Sequence, residues 1–109
     1  MIRASFKREG EKLRLTVRGH ANYAPLGSDI VCSAASGLIY ALAGYLINLK
    51  KHGYSINAIE SGYADIACDE EYEEAMKLLC IGLIQLAATY PDCICVHNAI
   101  WRWDIRRGA

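Results

Sequence analysis

A chain of 109 residues, 53% hydrophobic and 22% charged, is sized for one compact domain over residues 1–109 around a single core. Twelve basic residues balance twelve acidic ones, leaving no net field to hold a polyanion, so direct nucleic-acid binding through phosphate contacts is not expected. Five cysteines, Cys32, Cys68, Cys80, Cys93 and Cys95, lack the even count and the spacing of a disulfide framework and are expected to be reduced thiols.

Residues 1–10 carry Arg3, Lys7, Arg8 and Glu9 among scattered apolar side chains, unlike the continuous apolar core of a secretory signal, and a cytoplasmic protein is expected. Ile2, Ala4 and Phe6 alternate with polar residues, and Leu13, Leu15 and Val17 alternate with Arg14, Thr16 and Arg18. That is the period of half-buried strands, and Gly10 between them suits a hairpin. Residues 19–28, with Pro25 and two glycines, have no period and read as a loop.

Asp29 stands just before an apolar run, where its carboxylate can accept hydrogen bonds from the first free amides of a helix. The helix is predicted to run to about Lys50, with Lys50, Lys51 and His52 at the negative end of its dipole. Residues 30–49 hold no formal charge and are long enough to cross a bilayer. Ser33, Ser36, Gly37, Gly44 and Asn48 interrupt them, which favours a buried helix in a protein without a membrane role over a small integral-membrane protein. A helix apolar on nearly all sides needs cover on its second face, and another subunit is the expected cover.

Residues 56–68 are β-branched and aromatic around Gly62 and predict one or two strands. Ala75, Leu78, Leu79, Gly82, Leu83, Leu86 and Ala87 recur at helical steps. Glu70, Glu71, Glu73 and Glu74 load the start of that helix behind Asp69 as its cap, and the acidic cluster is read as helix-start stabilisation rather than a metal or basic-peptide site. Pro91 stops the helix, and residues 93–97 form a last strand. The expected architecture is α+β: a two-layer sandwich of a mainly antiparallel sheet and two long helices, in the order ββαββαβ.

Two residues in this frame carry chemistry. Cys32 falls third in the first helix, where unpaired amides and aligned peptide dipoles favour a thiolate and could also receive the oxyanion of a tetrahedral intermediate. His20, at the end of a strand, is an acid/base group suited to take and return a proton near neutrality. Gly19 and Gly27 bracket a loop with Ala21, Asn22 and Tyr23, and the stretch through Ser28 suits a flap over a bound peptide that is expected to be mobile without substrate. Ser36 lies one turn beyond Cys32 on the same face. Cys93, Cys95 and His97 alternate along a strand as a fragment of a zinc site, but without its spacing they read as thiols behaving as small hydrophobes, and neither a metal nor a cofactor is expected.

The stretch Gly19-His20-Ala21, Gly27, Asp29-Ile30-Val31-Cys32 and Ala35-Ser36 resembles the ribosomal-processing cysteine protease family, with a weaker match from Leu78 to Val96. The resemblance implies a bacterial cysteine endopeptidase that removes an N-terminal extension from a large-subunit ribosomal protein. It implies Cys32 as nucleophile, His20 as general acid/base, Asp29 and Ser36 beside them, a mobile loop and a homodimer. Ser33, where the family more usually has alanine, and the tail from Asn98 with Trp101 and Trp103 depart from the pattern. The alternatives are a non-catalytic ribosome-associated module using the same loop to hold a protein segment, and the same chemistry directed at a phage structural protein.

Overall fold

A computed structural model describes residues 1–25 and 29–102. The alternating N-terminal pattern folds as a hairpin of β1 (Ile2–Glu9) and β2 (Lys12–Arg18), paired antiparallel. Then come α1 (Ile30–Leu49), the hairpin of β3 (Tyr54–Glu60) and β4 (Tyr63–Asp69), α2 (Glu73–Thr89) and β5 (Ile94–His97). The ββαββαβ order and the α+β class match the sequence-based expectation, and residues 56–68 belong to two strands turning at Gly62.

The sheet runs β3-β4-β2-β1-β5. Pairing is antiparallel except between β1 and β5, which run parallel because the chain crosses over through α2 before returning to the sheet edge. Both helices cover one face. Phe6, Leu13, Leu15 and Ile66 from the sheet meet Val31 and Leu46 of α1 and Met76 and Leu83 of α2 in one buried cluster. One face of α1, including Val31, Ala35, Ile39, Leu42 and Leu46, is consumed in this way.

The opposite sheet face is polar but not bare. Asp65 is buried there, and Arg14 on the neighbouring strand donates through Nε and Nη2 to its two carboxylate oxygens at 2.9 and 2.6 Å. Tyr63 adds a longer hydroxyl contact at 3.4 Å. This fork is a bidentate, charge-assisted pair. The Arg14 bonds hold the Asp65 carboxyl below the ordinary carboxylate range, against the opposing effect of its burial.

Asp69 does not cap α2. It ends β4, its side chain makes no cap bond, and its carboxylate takes the Lys12 ammonium at 2.5 Å. A 3-10 turn, Glu70–Tyr72, intervenes because Glu70 N–H is drawn to the Glu11 carbonyl and the chain must leave the sheet before it can coil. Glu73 and Glu74 do occupy the first turn of α2, while Glu70 and Glu73 also bind Arg8 of β1 at 3.1 and 2.7 Å. Acidic residues expected to serve the helix alone thus tie it to the first hairpin. At the end of α1, Lys50 is the C-cap, but its ammonium lies over the rings of Tyr45 and Tyr72, and no basic residue stands in the last turn. Trp101 lies beyond β5, edge-on to Phe6 with its ring N–H on Glu73, so it packs on the domain without extending the strand. Trp103 lies outside the described residues.

The Asp65 carboxyl is lowered on folding, so its contribution to stability is present above its unfolded value, about pH 4, and is lost as the pH falls through the lower folded value. Urea unfolding should therefore show Asp65→Asn less stable than the wild type near neutrality, with a shallower loss of stability on acidification.

Candidate active site

Asp29 has an extended backbone and caps α1. Its Oδ1 accepts from Val31 N–H at 3.0 Å and Cys32 N–H at 2.9 Å; its Oδ2 accepts from Tyr23 N–H at 2.8 Å and Ala24 N–H at 3.3 Å. Burial pushes this carboxyl up, but the four amide donors together prevail and hold it below its ordinary value. The cap is therefore as expected, and it has a second half: the same carboxylate pins the first part of the loop. It makes no hydrogen bond to His20.

The cap places Cys32 in the first turn, half-buried. Its Sγ accepts from Ala21 N–H at 3.2 Å, so the residue next to His20 already touches the sulfur. One expectation fails here. The amides of Val31 and Cys32 are held by the Asp29 carboxylate and that of Ser33 by the Asp29 carbonyl, so they are not free for an oxyanion. The backbone donor directed at the sulfur is Ala21.

His20 is exposed at the end of β2. Gly19 before it donates its N–H to the Gly62 carbonyl at 2.9 Å and has a positive φ of 96°, in close approach to the Met1 carbonyl. The His20 ring lies over Gly62, in the turn between β3 and β4. Two cavities of about 270 Å³ each open beside the pair. The first is lined by His20, Cys32, Ser36, Tyr40, Ile59 and Tyr63, the second by His20, Asn22, Ala24, Asp29, Cys32 and Ser61. Thiol and imidazole thus line both clefts.

Of the other expected site residues, Ser36 lines the first cavity, and its hydroxyl makes no hydrogen bond among the described residues. Asn22 adopts a left-handed backbone, and Tyr23 lies edge-to-face against Tyr90 at 5.5 Å, resting the loop on the end of α2. Gly27 and Ser28 lie outside the described residues. The segment that sequence reasoning missed is Glu60 to Tyr63, where Ser61 lines both cavities. Gly62 marked a turn, but only the β2–β4 register shows that this turn lands beside His20.

The remaining thiols are elsewhere. Cys68 and Cys80 are buried, and burial, helped by the Asp69 charge, pushes the Cys68 thiol up to about 11. Cys93 precedes β5 and packs on the core; Cys95 Sγ contacts His97 Nε2 at 3.1 Å. His52 lies beyond the helix rather than in its last turn, and its ring gathers with Asp69 and Glu71, their ligand atoms within 4.8 Å of one another. Asp69 there is already bound to Lys12.

An α+β fold with a cysteine at a helix start and a histidine in the same cleft holds the two groups that a thiol-dependent hydrolase uses. The family model for cysteine protease Prp matches residues 1–95, and the chain belongs to that family of cysteine proteases. Among solved structures, the chain is similar to the essential ribosomal processing protease Prp from S. aureus in complex with a covalently linked product peptide. The TM-score is 0.80 at 23% identity, covering 90% of this chain and 99% of that one. The same S. aureus protease with a substrate peptide gives 0.73 at 22% identity, over 90% and 99%. SMU.848 from Streptococcus mutans gives 0.66 at 27%, over 88% and 91%. No curated protein matches the chain significantly.

Asp29→Asn retains one carbonyl acceptor where the carboxylate served four amides. Amide exchange at Tyr23 and Ala24 should then accelerate by about tenfold or more while α1 beyond Ala35 stays protected, as expected for a local release.

Proposed function

We propose that this chain is a cysteine endopeptidase that removes an N-terminal extension from a large-subunit ribosomal protein, with Cys32 as nucleophile and His20 as general acid/base. The observation that carries the reading is the junction of two clefts at Cys32 and His20, with the sulfur at a capped helix start and accepting the Ala21 N–H. The substrate class is supported by family membership and by the S. aureus protease of the same fold, whose structures hold a substrate peptide and a covalently linked product peptide.

The steps follow from the two groups. His20 takes the Cys32 proton, and the thiolate sulfur bonds to the scissile carbonyl carbon, placing negative charge on its oxygen. The Ala21 N–H, released from the sulfur as it bonds to carbon, is the adjacent backbone donor for that oxyanion. Collapse breaks the C–N bond, and imidazolium gives its proton to the leaving amine. His20 then deprotonates a water that attacks the thioester, releasing the carboxylate product and restoring the thiol. Asn22 and Ala24 border the peptide path, in a segment held by the Asp29 carboxylate on the Tyr23 N–H and by the Tyr23–Tyr90 contact.

The functional unit is a homodimer in the cytoplasm. Supporting this is the unspent half of α1, where Ile47 and Leu49 are 56% and 67% exposed, together with Leu78 of α2 at 73%. Among the described residues α1 is the one helix long and apolar enough to cross a membrane, yet its other face is committed to the core. A second copy covering the exposed half satisfies both facts.

Mass spectrometry of cleavage of ribosomal N-terminal extension peptides tests the chemistry. Cys32→Ala and His20→Ala should each lower turnover by about a thousandfold or more, with Cys32→Ala still binding peptide. Wild-type turnover in Cys32→Ala would overturn the protease assignment; cleavage of phage structural segments but not ribosomal ones would move only the target. Cys32 should also be alkylated by iodoacetamide ahead of Cys68 and Cys80, which are buried. Light scattering at micromolar concentration should give twice the monomer mass, and a monomer would overturn the dimer.

A further inference from the structure

The two sheet hairpins turn through glycines of the same backbone conformation: Gly10 has φ +64° and Gly62 has φ +78°. Both lie in the left-handed region that glycine enters at no steric cost, so turn geometry accounts for each glycine equally. Their surroundings differ. A Cβ added at Gly10 would meet nothing within 4 Å, whereas one at Gly62 would lie 2.8 Å from His20 Nε2, 3.3 Å from Cε1 and 3.5 Å from Cδ2. The imidazole is laid over the bare backbone of the turn.

The same residue holds the chain that carries the ring. The β2–β4 ladder ends with Arg18 opposite Tyr63, and the Gly19 N–H bond to the Gly62 carbonyl adds one further link beyond it. No side chain among the described residues hydrogen-bonds the His20 ring, and the nearby carboxylate of Asp29 is spent on four backbone amides. An exposed imidazole with no hydrogen-bonded orienter needs another constraint if it is to meet a thiol repeatedly in one geometry. Contact with the turn supplies it.

We propose that Gly62 is a positioning residue for the reaction: the absence of a side chain there makes a seat for the His20 imidazole, and the seat sets the ring's position relative to Cys32. The proposal rests on the reading of His20 and Cys32 as the catalytic pair. It assigns a role to the β3–β4 turn that hairpin geometry alone does not require.

Gly10 provides the matched control, since Gly10→Ala has the same backbone penalty with open space around the new methyl group. Gly10→Ala and Gly62→Ala should lose similar thermal stability. Gly62→Ala alone should lower kcat by about tenfold to hundredfold, with KM within about twofold, the scale expected when a catalytic group is displaced by about 1 Å. It should also shift the pH profile of Cys32 alkylation by iodoacetamide, a readout that needs no peptide substrate. Should the alanine variant fold poorly, Gly62→Asn and Gly10→Asn repeat the comparison with a residue that tolerates left-handed backbone. A folded Gly62 variant with wild-type kcat and alkylation profile would overturn the seat while leaving the protease assignment intact. If the wild type cleaves no extension peptide, the assigned substrate fails instead, and the alkylation profile of the variant against wild type decides the seat on its own.

Discussion

The site depends on one buried carboxylate. Asp29 is 5% exposed and would be costly to bury as an anion without partners. Its four backbone donors come from two segments, the start of α1 and the loop before it, so satisfying the charge obliges those segments to meet. That meeting brings the Ala21 N–H to the Cys32 sulfur. The same arrangement uses up the helix-start amides that a bare helix would have offered to substrate, which is why the available donor belongs to the loop. Asp29 thereby acts on the surroundings of Cys32 through backbone, and it makes no hydrogen bond to His20.

The sheet fixes the other half. β2 is central, paired to β1 on one side and β4 on the other, and its core-facing residues Leu13, Leu15 and Val17 are almost wholly buried. A one-residue slip of β2 would send these side chains to the polar face and pull Arg14 from Asp65, so the register is determined from both faces. That register sets the β3–β4 turn beside His20. Strand pairing far from the thiol therefore decides what the imidazole rests on.

What was legible in the sequence follows the range of the forces involved. The alternation at Ile2, Ala4, Phe6 and Leu13, Leu15, Val17, the capping position of Asp29 and the helical repeat through Leu83 are local signals, and each corresponds to the element expected. Asp69 misled because a carboxylate before a helix pattern is also a carboxylate at a strand end, and Lys12 across the ladder outcompeted the cap. The grouping of His52 with Asp69 and Glu71 and the place of Ser61 at both clefts are products of long-range register. Nothing in their local sequence encodes them. His20 and Cys32 were singled out by chemistry and by resemblance, and the fold brings both to the same two clefts.

Helix α1 joins these constraints. Cys32, Ser36 and Tyr40 follow one another at four-residue steps and line the same cavity, so the thiol and the cavity wall lie along one helical ridge. Val31, Ala35, Ile39 and Leu42 on the adjoining face are locked into the core, which fixes the rotation of the helix about its axis. Turning the helix to bury Tyr40 or Ile47 would withdraw Cys32 from the clefts and expose core residues. The apolar side chains left outside are thus the geometric consequence of presenting the thiol. A second copy covering Ile47 and Leu49 would bury apolar surface without disturbing the rotation that holds Cys32 at the clefts.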